Sequence, residues 1–271
     1  MPKVLSDAQV EFFREEGYLH PFDGVGRSVV AAMCSELEAY KQREGNSAHS
    51  IIFKAHLYFK RSFEFTRHPA LLDVVEDLIG PNIMTLSARF WIKPGRDGSF
   101  VTWHQDSAYF GLDPHELVTV WLALTGSNKG NGCLRVLPRS HRGKTHSHIE
   151  TFDDKNLLAR GQMIEGLDDS DAVDLELKAG QFSCHQERMI QGSVSNETNE
   201  PRIGIGIFYF PTHVRSTIGR RTACLVRGVD KFNHWDADPI PNSDLDERIL
   251  SHVHAAGERY VDPNYTQEAD R

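Results

Sequence analysis

Cysteine is scarce in this 271-residue chain: Cys34, Cys133, Cys184 and Cys224 form no CxxC pair and no closely spaced set. That excludes a disulfide-stapled scaffold and points to reduced, mostly buried thiols in a reducing compartment. No run of about 18 apolar residues occurs, so no membrane-spanning helix is expected. The N-terminal stretch carries Asp7, Glu11, Arg14, Glu15 and Glu16 and lacks an apolar segment, so no signal peptide is expected and the anticipated location is the cytoplasm. Positive charge is also in short supply, with 30 Lys and Arg against 38 Asp and Glu and a net charge of −8. Nucleic acid and anionic membrane surfaces both demand a basic face, so neither is expected as a partner. Local basic residues can still hold an anionic small molecule. With no internal repeat and no linker, one domain over residues 1–271 is expected; the oligomeric state is not legible.

What is present divides near Gly80. Ser6-Asp7-Ala8-Gln9 has the form of a capping box, and the helix it starts should stop at Gly17. A second helix is expected over Ser28 to Glu44, with Val29, Met33, Leu37 and Tyr40 on one side and Gly45 as its stop. A third fits Pro69 to Ile79, with Pro69 near the first helical position. After Gly80-Pro81-Asn82, strands are expected at Ile83–Ile92, Val101–Asp106, Leu117–Leu124, Cys133–Leu137, Val173–Leu177, Gln181–His185 and Ile203–Phe210. In the last, Ile and Gly alternate, which calls for one packed face and one face where something approaches the backbone closely. Short, turn-punctuated strands without intervening helices indicate a sandwich or jelly roll. The expected fold is mainly β with flanking helices: a helical part at about 1–80, a core at about 81–215, and a C-terminal helix (Ser243 to Tyr260) with a tail whose Thr266 to Arg271 should fray. Residues 140–172 show little periodicity and read as a long functional loop, the candidate lid.

Trp103-His104-Gln105-Asp106 is the chemical centre of the sequence. In an extended strand His104 and Asp106 point to one face. An imidazole and a carboxylate so placed supply two ligands of the 2-His-1-carboxylate triad of non-heme Fe(II) oxygenases. Such pairs are common, and many are only a hydrogen-bonded His and Asp.

In combination, Gly80-Pro81-Asn82-Ile83-Met84, Trp103-His104-Gln105-Asp106 with Tyr109, Trp121, Asn131-Gly132-Cys133-Leu134, Leu137-Pro138-Arg139-Ser140-His141 and Gly192-Ser193-Val194-Ser195-Asn196 leading to Arg202 resemble the phytanoyl-CoA dioxygenase family of Fe(II)/2-oxoglutarate oxygenases. The resemblance covers roughly the whole chain. Within the family it is most similar to bacterial small-molecule hydroxylases, including those acting on aminoalkylphosphonates. It implies a double-stranded β-helix (a cupin-like jelly roll) and the use of Fe(II), 2-oxoglutarate and O2 to hydroxylate a small metabolite. Carried over by motif, His104 and Asp106 match the first two iron ligands. Trp121 matches an aromatic residue packed against 2-oxoglutarate, and Arg202 the group that grips its distal carboxylate, a task suited to a planar guanidinium fork. Lys54 and Arg89 fall where the family places further cosubstrate contacts.

The resemblance breaks at the third ligand, where the family's distal His is replaced by Gln191. A neutral carboxamide oxygen is a poorer ligand for Fe(II) than imidazole. Three readings stay open: Gln191 ligates weakly, His185 substitutes, or the site is partly lost. On a straight strand His185 would lie roughly 20 Å from position 191, so only a turn between Gln186 and Ile190 would bring it near the metal. A packed or supporting His at a strand end is therefore expected, with Gln191 as the ligand. His141, His146 and His148 are expected to be surface residues, and His56 either lines the pocket beside Lys54 or is structural. Two functions compete: an oxygenase acting on a small substrate, for which Lys54, Arg89, Arg96 and the lid histidines suggest an anionic group, and a catalytically silent binding or partner subunit. Asp106 argues against a halogenase, in which halide takes the place of a missing carboxylate.

Overall fold

A computed structural model describes residues 2–261, with side chains to residue 256. In chain order, α1 (Asp7–Glu16), β1 (Tyr18–Asp23), α2 (Arg27–Glu44), α3 (Lys60–Thr66) and α4 (Pro69–Ile79) come first. Then follow β2 (Ile83–Lys93), β3 (Val101–His104), α5 (Ser107–Phe110), β4 (Leu112–Asp113), β5 (Val118–Ala123) and β6 (Leu134–Val136). The chain continues through β7 (Ile149–Glu150), β8 (Gln162–Met163), β9 (Val173–Leu175), β10 (Gln181–Gln186), β11 (Gln191–Ser193) and β12 (Arg202–Pro211). It closes with β13 (Arg215–Ser216), β14 (Thr222–Arg227), β15 (Asp236–Ala237) and α6 (Glu247–Val261).

The capping box at Ser6 and Gln9 forms, and Gly17 closes α1 in the left-handed conformation that glycine tolerates without a Cβ clash. In α2 the expected Met33 and Leu37 are buried and Tyr40 packs against the same core, but Val29 is exposed and Val30 takes its place. α4 spans the expected Pro69–Ile79. The C-terminal helix is present and starts at Glu247 rather than Ser243, while Thr266 to Arg271 lie outside the described residues.

Two sheets face each other as in a jelly roll. One runs β1-β10-β5-β12-β2-β14-β15 and the other β3-β11-β6-β9. The chain crosses between them repeatedly, from β2 to β3, β5 to β6, β9 to β10, β10 to β11 and β11 to β12. The outer face of the larger sheet packs on the helices: Met33, Leu37, Leu71 and Val75 share one core with Phe90, Val120, Ile205 and Ile207. Three boundaries were not legible. β1 lies between the first two helices yet pairs at the sheet edge with β10, so the helical part is interrupted. β14 and β15 extend the larger sheet to residue 237, beyond the expected limit at 215. The β3 strand ends at His104, and Asp106 takes helical angles at the start of α5.

β12 explains the layout of the inner face. Ile205 and Ile207 enter the helix-side core, so Gly204, Gly206 and Phe208 face the other way. A Cβ on Gly204 would meet the Trp121 ring at 2.2 Å, and one on Gly206 would stand 3.2 Å from Trp91 Nε1. The alternating glycines therefore admit two indole rings against the sheet.

Candidate functional site

Four neighbouring strands of the larger sheet supply one wall of a pocket. Pairing puts His185 opposite Thr119 and Thr119 opposite Phe208, while Trp121 lies opposite Gly206 and Gly206 opposite Arg89. Further along, Trp91 faces Gly204 and Lys93 faces Arg202. The smaller sheet supplies the opposing wall, where Gln191 on β11 is paired directly with His104 on β3.

His104 is buried, and its Nδ1 lies 2.9 Å from the Thr102 carbonyl. A carbonyl only accepts, so Nδ1 carries a proton, and this fixes the ring with Nε2 turned to the pocket, 3.4 Å from Asp106 Oδ1. Thus His104 and Asp106 converge although they do not share a strand. Burial, the largest single influence, acts to raise the Asp106 pKa, but His104, His185 and Gln191 together outweigh it and hold the carboxyl below its ordinary value. Thr119 Oγ1 donates to Asp106 Oδ2 at 3.3 Å, and the Gln191 side chain is a further hydrogen-bonding neighbour.

His185 is not a remote strand end. A turn follows Gln186, closed by Met189 N donating to the Gln186 carbonyl at 2.9 Å, and His185 lines the same pocket as His104, Asp106 and Gln191. Both of its ring nitrogens are buried without a partner. Burial pushes its pKa down to about 4, with Asp106 opposing and His104 adding to the shift, so the ring is neutral. It stands a step back from the other two: among the described residues, the one trio of His, Cys or acidic ligand atoms within 4.8 Å of each other is His56, Cys224 and Asp238.

At the other end of the pocket Arg202 is buried, with its guanidinium 5.3 Å from the Trp121 ring centroid. Nη2 donates to the Gly132 carbonyl at 3.0 Å, while Nε is buried without a partner. Burial lowers the Arg202 pKa to about 10, so the group stays charged. An imidazole beside a carboxylate and an amide, with a partly unsatisfied guanidinium over an indole, fits the metal and the dicarboxylate that the sequence resemblance implies.

A second cavity shares Trp91, His104, Asp106 and Phe208 with the first. Its lining adds Arg89, Tyr109, Phe110 and Arg160. Arg89 donates to the Leu157 carbonyl at 2.7 Å and lies over Trp91, 4.4 Å from the centroid. Arg160 pairs with Glu150 and lies 5.7 Å from the Tyr109 ring centroid. The 140–172 segment lends Leu158, Ala159, Arg160 and Gln162 to the lining of this cavity and is pinned to the His104 strand. Gln162 O accepts from Thr102 Oγ1, Ile164 N donates to Trp103 O at 2.9 Å, and Trp103 Nε1 donates to Asp169 at 3.2 Å.

Two expectations change here. Lys54 lines neither cavity; its ammonium donates to Leu86 O at 3.1 Å, Thr222 O at 3.0 Å and the Asp238 carboxylate. A partner 184 positions away has taken it, so it is not a cosubstrate contact, and His56 belongs to the same structural cluster. His148 is not a free surface residue: its Nε2 accepts from Gln105 N at 2.9 Å, and its ring packs edge-on against Tyr109. His146 is exposed, and His141 bonds to Arg14 O at 3.0 Å, so the three histidines form no cluster.

Among known proteins, the chain is 27% identical over 172 residues to a probable alpha-ketoglutarate-dependent hypophosphite dioxygenase of Stutzerimonas stutzeri, covering 61% of this chain and 60% of that one. It is 31% identical over 157 residues to human peroxisomal phytanoyl-CoA dioxygenase, covering 55% and 46%. The chain thus spans only about half to three-fifths of these curated relatives. Among solved structures, the apo form of the non-heme monooxygenase ThoJ superposes with a TM-score of 0.82 at 30% identity, over 96% of this chain and 98% of that one. The family model described as Phytanoyl-CoA dioxygenase (PhyH) matches residues 13–204, well over half the sequence, and the chain belongs to that family.

Proposed function

We propose that this protein is an Fe(II)- and 2-oxoglutarate-dependent dioxygenase that hydroxylates a small anionic metabolite, such as a phosphonate or carboxylate. The observation that carries the reading is one pocket with His104, Asp106 and Gln191 gathered at one end and Arg202 over Trp121 at the other. In this reading His104 Nε2, Asp106 and the Gln191 carboxamide oxygen hold the metal. Arg202 grips the distal carboxylate through charge-assisted bonds, and Trp121 bounds the dicarboxylate on one side. Bound iron and 2-oxoglutarate would supply O2 activation coupled to decarboxylation to succinate and CO2. The chain's own part is geometric. Thr102 O fixes the His104 tautomer, Thr119 steadies the Asp106 carboxylate, and the 140–172 segment keeps water from the second cavity.

The second cavity is the proposed substrate site because it shares His104 and Asp106 with the first. Its apolar and aromatic lining with two arginines, Arg89 and Arg160, suits a small molecule carrying one anionic group. The hypophosphite dioxygenase relative, named for a phosphorus oxyanion, supports that substrate class. Succinate release from purified protein with Fe(II), 2-oxoglutarate and a panel of small phosphonates and carboxylates tests the reading. Turnover with an anionic substrate and none with its neutral ester is expected. No turnover across the panel, with no metal uptake, would overturn it.

Gln191 favours one competing reading, a silent family member that binds a small molecule without turnover. Metal analysis and 2-oxoglutarate titration separate the two, since Fe(II)-dependent binding of 2-oxoglutarate is expected only of the oxygenase.

A further inference from the structure

The Arg202 end of the pocket holds two buried basic side chains where one would serve. Lys93 ends β2 and is paired directly with Arg202 at the start of β12. Like charges directly opposite on neighbouring strands repel, and burial strengthens the repulsion. Among the described residues neither has a carboxylate within 4 Å: Lys93 Nζ meets Ser193 Oγ at 2.7 Å, Ser193 O at 3.3 Å and Val194 O, and Arg202 meets only backbone carbonyls. Gly132 is the junction. Its carbonyl accepts from Arg202, and a Cβ there would stand 3.1 Å from Lys93 Nζ. Ser193, the polar partner of Lys93, itself lines the pocket.

We propose that Lys93 is a proton-taking positioning residue for the distal carboxylate of the cosubstrate: binding of the dianion protonates Lys93, and this turns the Ser193 hydroxyl to donate into the pocket. The inference rests on the reading above that the pocket takes 2-oxoglutarate. The proton accounting follows from donor counts. A neutral Lys93 amine has two N–H bonds for the Ser193 and Val194 carbonyls, and its lone pair accepts the Ser193 O–H. An ammonium has three N–H bonds, so Ser193 Oγ must become an acceptor from Lys93, and its own O–H is released to the incoming carboxylate. One proton enters from solvent, no covalent bond between heavy atoms changes, and the anion's charge is met by both Lys93 and Arg202.

Burial first, and then the Arg202 charge, lower the Lys93 pKa to about 6, with Asp97 acting the other way. Arg202 stays charged, and the Cys133 thiol, pushed up to about 12 by burial and by Asp174, stays protonated. These groups, from β12, the turn before β6 and the turn after β2, are the ones that act on Lys93. At neutral pH Lys93 is therefore mostly an amine, and an anion beside it restores the ammonium.

Calorimetric titration of Mn(II)-loaded protein with 2-oxoglutarate, in buffers of different ionisation enthalpy, counts the protons. Wild type should take up about one proton at about pH 7.5, and its affinity should rise about tenfold per pH unit lowered towards 7. Lys93→Met should bind without proton uptake and with a flat pH profile, a readout that a merely structural lysine would not move. Wild-type binding without proton exchange overturns the inference and needs no variant to fold. If wild type does not bind 2-oxoglutarate at all, the functional reading falls and the inference falls with it.

Discussion

Two buried lysines on the same side of the chemistry end in opposite circumstances. Lys54 has a complete set of partners, two carbonyls and the Asp238 carboxylate, and Asp238 is held in turn by His252 at 2.9 Å. Lys93 has carbonyls and one hydroxyl, faces Arg202, and meets no carboxylate among the described residues. Both are fully buried. A buried charge without an opposite charge is expensive, and a ligand that supplies the opposite charge offsets that cost. The Lys54 cluster is closed and structural; on the proposed reading the Lys93 and Arg202 end of the pocket takes the cosubstrate dianion. The same contrast separates His56, stacked on Phe63 within the closed cluster, from His185, whose two ring nitrogens remain unpartnered beside Asp106.

The largest effect should come from breaking the closed member of the pair. Asp238→Asn leaves the Lys54 ammonium buried without its counter-charge and should destabilise the fold by about 3–5 kcal/mol in denaturant unfolding. Burial alone would raise the Asp238 pKa; the Lys54 charge and the His252 hydrogen bond outweigh it and hold it far below the usual range. A depressed carboxylate stabilises the fold above its unfolded pKa. Wild type should therefore lose this contribution as pH falls below about 4, and Asp238→Asn should lose less over that window.

Next in size, Arg202→Ala should weaken 2-oxoglutarate binding about a hundredfold, the worth of one or two charge-assisted bonds, with little change in metal affinity. Titration of the metal-loaded protein with 2-oxoglutarate checks both numbers. Gln191→His should then raise Fe(II) affinity by about tenfold or more, because imidazole replaces a neutral amide oxygen opposite His104. An unchanged metal isotherm would instead make His185 the third donor, and His185→Phe would be the variant to lose metal. The smallest effect sharpens the comparison. Lys93→Met should leave unfolding stability within about 1 kcal/mol of wild type, or raise it, because it replaces a buried amine with an apolar side chain of similar volume.

Legibility followed locality. The capping box at Ser6, the stop at Gly17 and the Pro69 start were readable because each is decided within one turn of chain. The Ile-Gly alternation of β12 showed that something would approach that face, without showing that it would be Trp121 and Trp91. The His104 and Asp106 pair was readable as a motif, although its geometry comes from a strand end and a helix start rather than from one strand. What escaped depends on register and long separation. That Lys93 faces Arg202 requires the pairing of β2 with β12, and that Lys54 is taken by Asp238 requires a contact across 184 positions. His185 is the packed His at a strand end that the sequence suggests, and its nearness to Asp106 depends on the turn after Gln186, which no glycine or proline announces. β1 was hidden for a similar reason: its edge position leaves only part of it buried, so its alternation is weak.

The most direct test of the central claim is anaerobic Fe(II) binding measured with and without 2-oxoglutarate on the wild-type chain. Two strong ligands and an amide should bind the metal weakly alone. They should bind it markedly more tightly when 2-oxoglutarate is present, since on the proposed reading Arg202 would hold the dicarboxylate beside the metal position. Fe(II) affinity that is indifferent to 2-oxoglutarate would contradict the account.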